Sequence, residues 1–337
     1  MLRPAILIAV AAVTVSCSAQ TFSSIAQAIS SAATPPPRGE MREDVFMSDA
    51  LGVRKHAVVY LPPSYAKDNT RRFPVAYYLH GLSGTERDWV SRAGIDGAAD
   101  SLFARGTAEM IIVLPDGDDG WYTTWTVQIG YRTCADTVNN EAADRFCVQH
   151  QRYDDYITRD VVRFIDSRYR TLNDPGHRGI GGLSMGGYGA LALALRHPEV
   201  FGAAASHSGV VSPLYVGPHP YSAPARYATT PEELRTAGGS MWGRYQLLWG
   251  TNLDRWHAAD PARLAEALRE RGGRVPALFV DCGVDDGLVD QNRALHAELQ
   301  KLQIAHRYAE WPGAHTWRYW STHVRESLEW MGEHIGK

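Results

Sequence analysis

The stretch from Gly179 to Pro198, GIGGLSMGGYGALALALRHP, holds one serine, Ser184, among glycines at 181, 182, 186 and 187. Gly182-Leu183-Ser184-Met185-Gly186 matches G-x-S-x-G, a pattern that serves nucleophilic catalysis when a strand precedes it and a helix follows. GHRGIGGLS (176–184) reads as that strand, and the alanines and leucines behind it read as that helix. A sharp strand-to-helix turn puts the serine in a strained backbone conformation. Side chains two positions to either side would collide with the neighbouring strand and helix, and glycine removes them. The helix N-terminus adds partial positive charge where an oxyanion would form. The competing reading is a glycine-rich turn that merely lets a helix pack closely, and the strand–helix context favours the nucleophile.

A serine hydroxyl is a weak nucleophile without a base, and in this arrangement an acid and a histidine follow it in the order Ser, Asp, His. The apolar run PALFVDCG (276–283) reads as a strand, and VDDGLVDQN follows, so the acids are Asp281, Asp285, Asp286 and Asp290. Asp281 should still lie in the strand, and Asp290 sits where a helix start commonly takes an acid as a cap. Asp285 and Asp286 remain. Among 13 histidines, His315 follows a Pro-Gly turn in EWPGAHTWRYW (310–320), comes after both the serine and the acids, and precedes the last helix. One ring nitrogen there can reach Ser184 and the other an acid. The oxyanion needs two backbone N–H donors. Met185, directly after the serine, supplies one, and Leu82, in the loop His80-Gly81-Leu82-Ser83-Gly84 leaving an early strand, supplies the other.

Placing these groups together takes strands that all end at one edge. Strands are expected over 53–63, 71–81, 110–117, 176–184, 201–209 and 276–283, with helices over 153–169, 261–271, 291–302 and 323–335. This alternation implies an α/β fold, a mainly parallel central sheet with helices on both faces. Residues 215–257 fit the rhythm less well. They carry Pro, Gly and Tyr with Trp242, Trp249 and Trp256, and read as a cap-like insertion that either shapes a cleft or packs on its own aromatics. His207, on the strand after the serine, is either structural or pocket-lining. The acidic run DGDDG (116–120) lacks the glutamate that a calcium loop places at its twelfth position, where Val127 stands. No metal and no cofactor are expected.

The chain has 337 residues, 45% hydrophobic, with a formal net charge of −3. That balance gives no sign of a nucleic-acid-binding surface, and the body holds no apolar run long enough to span a bilayer. MLRPAILIAVAAVTVSCSAQ carries Arg3, an apolar run and small residues around Cys17-Ser18-Ala19. It reads as a signal peptide over 1–19, with lipidation at Cys17 or retention as a short anchor as the other routes. A Ser/Ala/Pro-rich linker follows over 20–40, and the folded domain over 41–337. Export to the periplasm or beyond favours a disulfide between Cys134 and Cys147, worth about 3 kcal/mol for a loop of this size. Cys282, ending an apolar strand, is expected as a buried free thiol.

The sequence resembles the esterase family of α/β-hydrolases that includes S-formylglutathione hydrolases, feruloyl and acetyl-xylan esterase domains, enterochelin-esterase-like proteins and the antigen 85 mycolyltransferases. The matching pieces, in the family's order, are VVYLPPSY at 58–65, PVAYYLHG at 74–81, PDGDDGWYTTW at 115–125, GLSMGGYGAL at 182–191, DCGVDDGLVDQN at 281–292 and PGAHTWRYW at 312–320. The resemblance implies an α/β-hydrolase fold with Ser184 as nucleophile and His315 as base, and its C-G-x-x-D pattern places the acid on Asp286. It also puts the 116–125 loop near the cleft, where Trp121, Tyr122 and Trp125 would line an acyl or sugar site unless they pack the loop down. The implied activity is an exported serine esterase acting on small-molecule or carbohydrate-linked carboxylic esters through an acyl-enzyme. Acyl transfer of the mycolyltransferase type, and a non-catalytic envelope protein on the same fold, are the alternatives.

Overall fold

Strands that must be covered on both faces need side chains apolar on both faces. VAYYL and IIVLP meet that need throughout, and RGIGGL and AAASH do so apart from the buried Arg178, Ser206 and His207. They form β3 (Val75–Leu79), β4 (Ile111–Pro115), β5 (Arg178–Leu183) and β6 (Ala203–His207), every residue of which is buried. The computed structural model describes residues 37–137 and 142–337. The expectations for a signal peptide over 1–19, lipidation at Cys17 and most of the 20–40 linker fall outside the described residues.

An eight-stranded sheet runs in the order β1-β2-β4-β3-β5-β6-β9-β10, where β1 is Glu40–Ser48, β2 Val53–Leu61, β9 Ala277–Gly283 and β10 Arg307–Trp311. From β4 to β10 all neighbours are parallel, while β1–β2 and β2–β4 are antiparallel. The sheet is mainly parallel, as its sequence pattern implied, and the fold is that of the α/β-hydrolases. The two outermost strands, β1 and β10, were not expected. In β1 the apolar Met41, Val45 and Met47 are exposed and only Phe46 among its apolar residues is buried, so its alternation does not read as a buried face. In β10 no residue is fully buried. β1 also starts within the stretch read as linker, and Gly39 N–H already donates to Asp100 (2.8 Å).

Helices cover both faces. On one side pack a helix over 153–168, α2, with a π-helical turn at Tyr156–Val161, and α3 (Met185–Arg196), α7 (Pro261–Glu270) and α8 (Val289–Lys301). On the other lie α1 (Ile95–Phe103) and α9 (Trp317–Ile335), the latter starting six residues before its expected first residue. Residues 215–257 form a small hairpin, β7 (Tyr215–Gly217) and β8 (Arg226–Tyr227), then α4 (Pro231–Gly238), α5 (Trp242–Trp249) and α6 (Leu253–His257). Trp249 and Tyr245 clasp Trp121 with ring centroids 6.1 and 5.1 Å away, and Trp249 also meets Tyr188 at 5.5 Å. This segment is thus fastened by aromatic packing.

The acidic loop after β4 has a protein cation as its partner. Lys55, fully buried on β2, donates to Asp116 (2.9 Å), Asp118 (2.6 Å) and the Arg145 carbonyl (3.2 Å). Burial alone would favour the neutral amine. The two carboxylates outweigh that and hold the ammonium above the usual lysine range. Cys134 and Cys147 form the disulfide, and Cys282 is a buried free thiol whose pKa burial raises. A Lys55→Met variant leaves two buried carboxylates without their cation. It should lose about 3–5 kcal/mol of unfolding free energy, measured by urea or guanidinium denaturation against wild type.

Candidate active site

β5 ends on Leu183, and Ser184 turns the chain into α3 with φ 53° and ψ −116°, a left-handed φ rare outside glycine. The surroundings over-determine this turn. Ser184 N–H donates to the His207 carbonyl (2.9 Å), and its own carbonyl accepts from Tyr188 N–H (3.0 Å). A Cβ on Gly182 would lie 2.4 Å from the Gly186 carbonyl oxygen, and one on Gly186 would lie 2.3 Å from that of Leu79. Any side chain at either position would therefore drive the helix off the sheet.

The acid comes from the turn after β9. Asp286, 3% exposed, folds back with its N–H on the Gly283 carbonyl (3.1 Å). One carboxylate oxygen accepts from Leu288 N–H (2.8 Å), and the other lies 2.8 Å from His315 Nδ1. His315 arrives on the loop between β10 and α9. A Cβ on Gly283 would sit 2.2 Å from the Gly313 carbonyl oxygen, so the two turns touch backbone to backbone. His315 Nε2 is 2.9 Å from Ser184 Oγ. The other three acids are placed elsewhere. Asp285 is exposed. Asp281, in the sheet, accepts from Tyr319 OH (2.9 Å). Asp290, on the first turn of α8, holds His219 Nδ1 and Tyr221 N–H, both at 2.8 Å, and so ties the 215–257 segment to α8.

Above Ser184 opens a hollow of about 730 Å³. Gly81, Leu82, Leu183, His315, Trp317 and Trp320 line it with others. Leu82 sits in a four-residue turn closed by Gly84 N–H to the Gly81 carbonyl (3.1 Å), with Ser83 at φ 58°. Among the described residues, neither Leu82 N–H nor Met185 N–H has a protein acceptor. His80 braces the turn from below, with Nε2 accepting from Gly117 N–H (2.9 Å) and Nδ1 donating to the Gly81 carbonyl (2.8 Å). Asp119 braces it from the side, accepting from Ser83 N–H (2.7 Å), and its other oxygen lies 3.4 Å from Arg244 of α5. Sequence reading did not single out Asp119 or Arg244; its one trace was the acidic cluster after β4.

The four residues considered for substrate contact do not line this hollow. Trp121 and Tyr122 are buried, their backbones at φ 55° and 50° turning both side chains inward. Tyr122 OH donates to the His80 carbonyl (3.0 Å), and its ring fills the space beside Gly189. Trp125 donates to the Gly120 carbonyl (2.9 Å) and borders a separate hollow of about 310 Å³ with Tyr153 and Phe146. His207 is fully buried below Ser184, with Nδ1 2.6 Å from Asp281 and Nε2 2.8 Å from Ser327 Oγ. These side chains pack and brace the loops that carry the site. Among the described residues, none from 215–257 borders the hollow at Ser184 either.

A hydroxyl hydrogen-bonded to an imidazole, whose far nitrogen faces a buried carboxylate, can attack an electrophilic carbonyl while passing its proton to the ring. Comparisons with known proteins point to ester hydrolysis. The sequence profile of the Esterase family matches residues 48–331. An acetyl esterase of Caldicellulosiruptor saccharolyticus is 26% identical over 80% of this chain and 87% of its own. An esterase of Mycobacterium tuberculosis is also 26% identical, over 81% of this chain but only 55% of its own, longer length. Among solved structures, a ferulic acid esterase is 26% identical, with a TM-score of 0.60 over 88% of this chain and 98% of its own. An S-formylglutathione hydrolase of Agrobacterium tumefaciens, at 19% identity, shares the fold with a TM-score of 0.64 over 89% of this chain and 96% of its own. With most of its length matched to that profile, the chain belongs to the Esterase family and is a carboxylic ester hydrolase on the α/β-hydrolase fold.

Proposed function

We propose that the protein is an exported serine esterase working through an acyl-enzyme, with Ser184 as nucleophile, His315 as base and Asp286 as the orienting acid. The observation that carries this reading is the unbroken row from Asp286 Oδ2 through both ring nitrogens of His315 to Ser184 Oγ, with steps of 2.8 and 2.9 Å. Ser184 Oγ attacks the ester carbonyl and its proton moves to His315 Nε2. Asp286 keeps Nδ1–H pointed at itself and stabilises the imidazolium that forms. The free N–H groups of Leu82 and Met185 hold the developing oxyanion, and α3 begins at Met185, so its N-terminal dipole adds to them. His315 returns the proton to the departing alcohol, then activates water to release the acyl group.

The relatives favour short or aromatic acyl groups, since one is named an acetyl esterase and another a ferulic acid esterase. Export is supported by the N-terminal apolar segment and by the Cys134–Cys147 disulfide, a bond that persists in oxidising compartments. Residues 41–337 are taken as the catalytic domain, with 215–257 as an insertion in it.

Hydrolysis of p-nitrophenyl esters from acetate to octanoate, with a ferulate ester, tests the reading. Ser184→Ala should lower kcat by at least about 10³-fold, and Asp286→Asn by about 10⁴-fold; variants retaining wild-type rates would overturn the assignment. Intact-mass spectrometry on a slowly released ester should show one acyl adduct, located on Ser184. Asp119→Ala frees the Ser83 amide and should lower kcat about tenfold through a looser oxyanion turn, with KM little changed. Asp119→Asn, which keeps an acceptor oxygen, should recover most of that loss.

A further inference from the structure

The hollow over Ser184 is more positive than the chain as a whole. Arg92 and Arg318 both line it, together with the half-buried indole of Trp317. Among the described residues, no aspartate or glutamate borders it. Arg318 is exposed and has no ion-pair partner among the described residues. The Arg92 guanidinium lies 4.7 Å over the Trp317 ring, which fixes its place at the rim, and its nearest carboxylate, Asp88, is 3.9 Å away. Asp88 offsets part of the Arg92 charge from outside the lining, and two acids of the loops around the site are otherwise engaged. Asp286 is buried behind His315, and Asp119 is held by Ser83 and Arg244. The chain carries a net charge of −3, so this local excess does not follow from overall composition.

We infer that the ester taken by this site carries a negative charge near the scissile bond, a carboxylate or phosphate that Arg92 and Arg318 receive. The inference rests on the serine-esterase reading and names the substrate class for it. Guanidinium groups pair with planar or tetrahedral oxyanions through several N–H donors at once. Two of them on one rim also raise the local concentration of anionic substrate. The charge can sit on the acyl or the alcohol side of the ester, and experiment separates the two.

The test uses the full exported chain and two matched pairs of esters. In the first, p-nitrophenyl hydrogen succinate is compared with p-nitrophenyl butyrate, which puts the charge on the acyl group. In the second, para-acetoxybenzoate is compared with its methyl ester, which puts the charge on the leaving alcohol. In at least one pair kcat/KM should favour the anionic member about tenfold at low salt. That preference should shrink as salt rises from about 0.01 M to about 1 M. The ratio within the favoured pair should fall about threefold in Arg92→Gln or Arg318→Gln, and reverse in Arg318→Glu. Equal or slower turnover of both anionic esters, with the neutral ones still cleaved, would overturn the inference and leave the esterase reading standing. A preference that survives the double Arg92→Gln/Arg318→Gln variant would overturn the role of the arginines. Failure to cleave all four would remove the serine-esterase reading and this inference with it.

Discussion

The contact between His315 and Ser184 joins residues 131 positions apart, and the architecture around it is arranged to make that contact. Parallel strands deliver their C-terminal ends to one edge of the sheet. Ser184 leaves β5 there, the Asp286 turn leaves β9, and the His315 loop leaves β10. Parallel order alone does not set distances. That is done by close backbone approaches, Gly186 against Leu79 and Gly283 against Gly313, where any Cβ would push the loops apart. The glycines of the site therefore act as spacers of minimum thickness.

Much of this was legible from residue types. Fully apolar runs marked the interior strands because both faces are covered, and G-x-S-x-G between a strand and a helix marked the turn at Ser184. Chain order pointed to His315. The choice between Asp285 and Asp286 was not decided by the residues themselves, since adjacent loop acids look alike. In the structure one is exposed and the other folds under its own turn. The edge strands escaped notice because edges bury one face at most, and three of the four apolar residues of β1, Met41, Val45 and Met47, are exposed. Trp121, Tyr122 and Trp125 stayed open between cleft and packing because aromatics beside such a loop serve equally as lining or as packing. Backbone φ at 121 and 122 turns the first two inward, and no local composition signals that.

The loop after β4 distributes its acids unequally. Asp116 and Asp118 face inward to Lys55, a cation supplied by the antiparallel strand β2. Asp119 faces the opposite way, to the turn that carries Leu82. One acidic cluster thus performs two jobs, a buried charge clamp between strands and a hydrogen-bonded strut under the cleft. The clamp gives the loop a fixed base from which the strut can act.

The strut also has a second end. Because Arg244 of α5 approaches the same carboxylate that holds Ser83, the 215–257 segment touches the support of the Leu82 turn without bordering the hollow itself. Segments of this kind are natural targets for exchange between relatives when a new specificity is wanted. In this protein such a graft is not a free module. A replacement lacking a cation at that point would leave the strut without its outer tether, so catalytic rate and insertion identity would be inherited together.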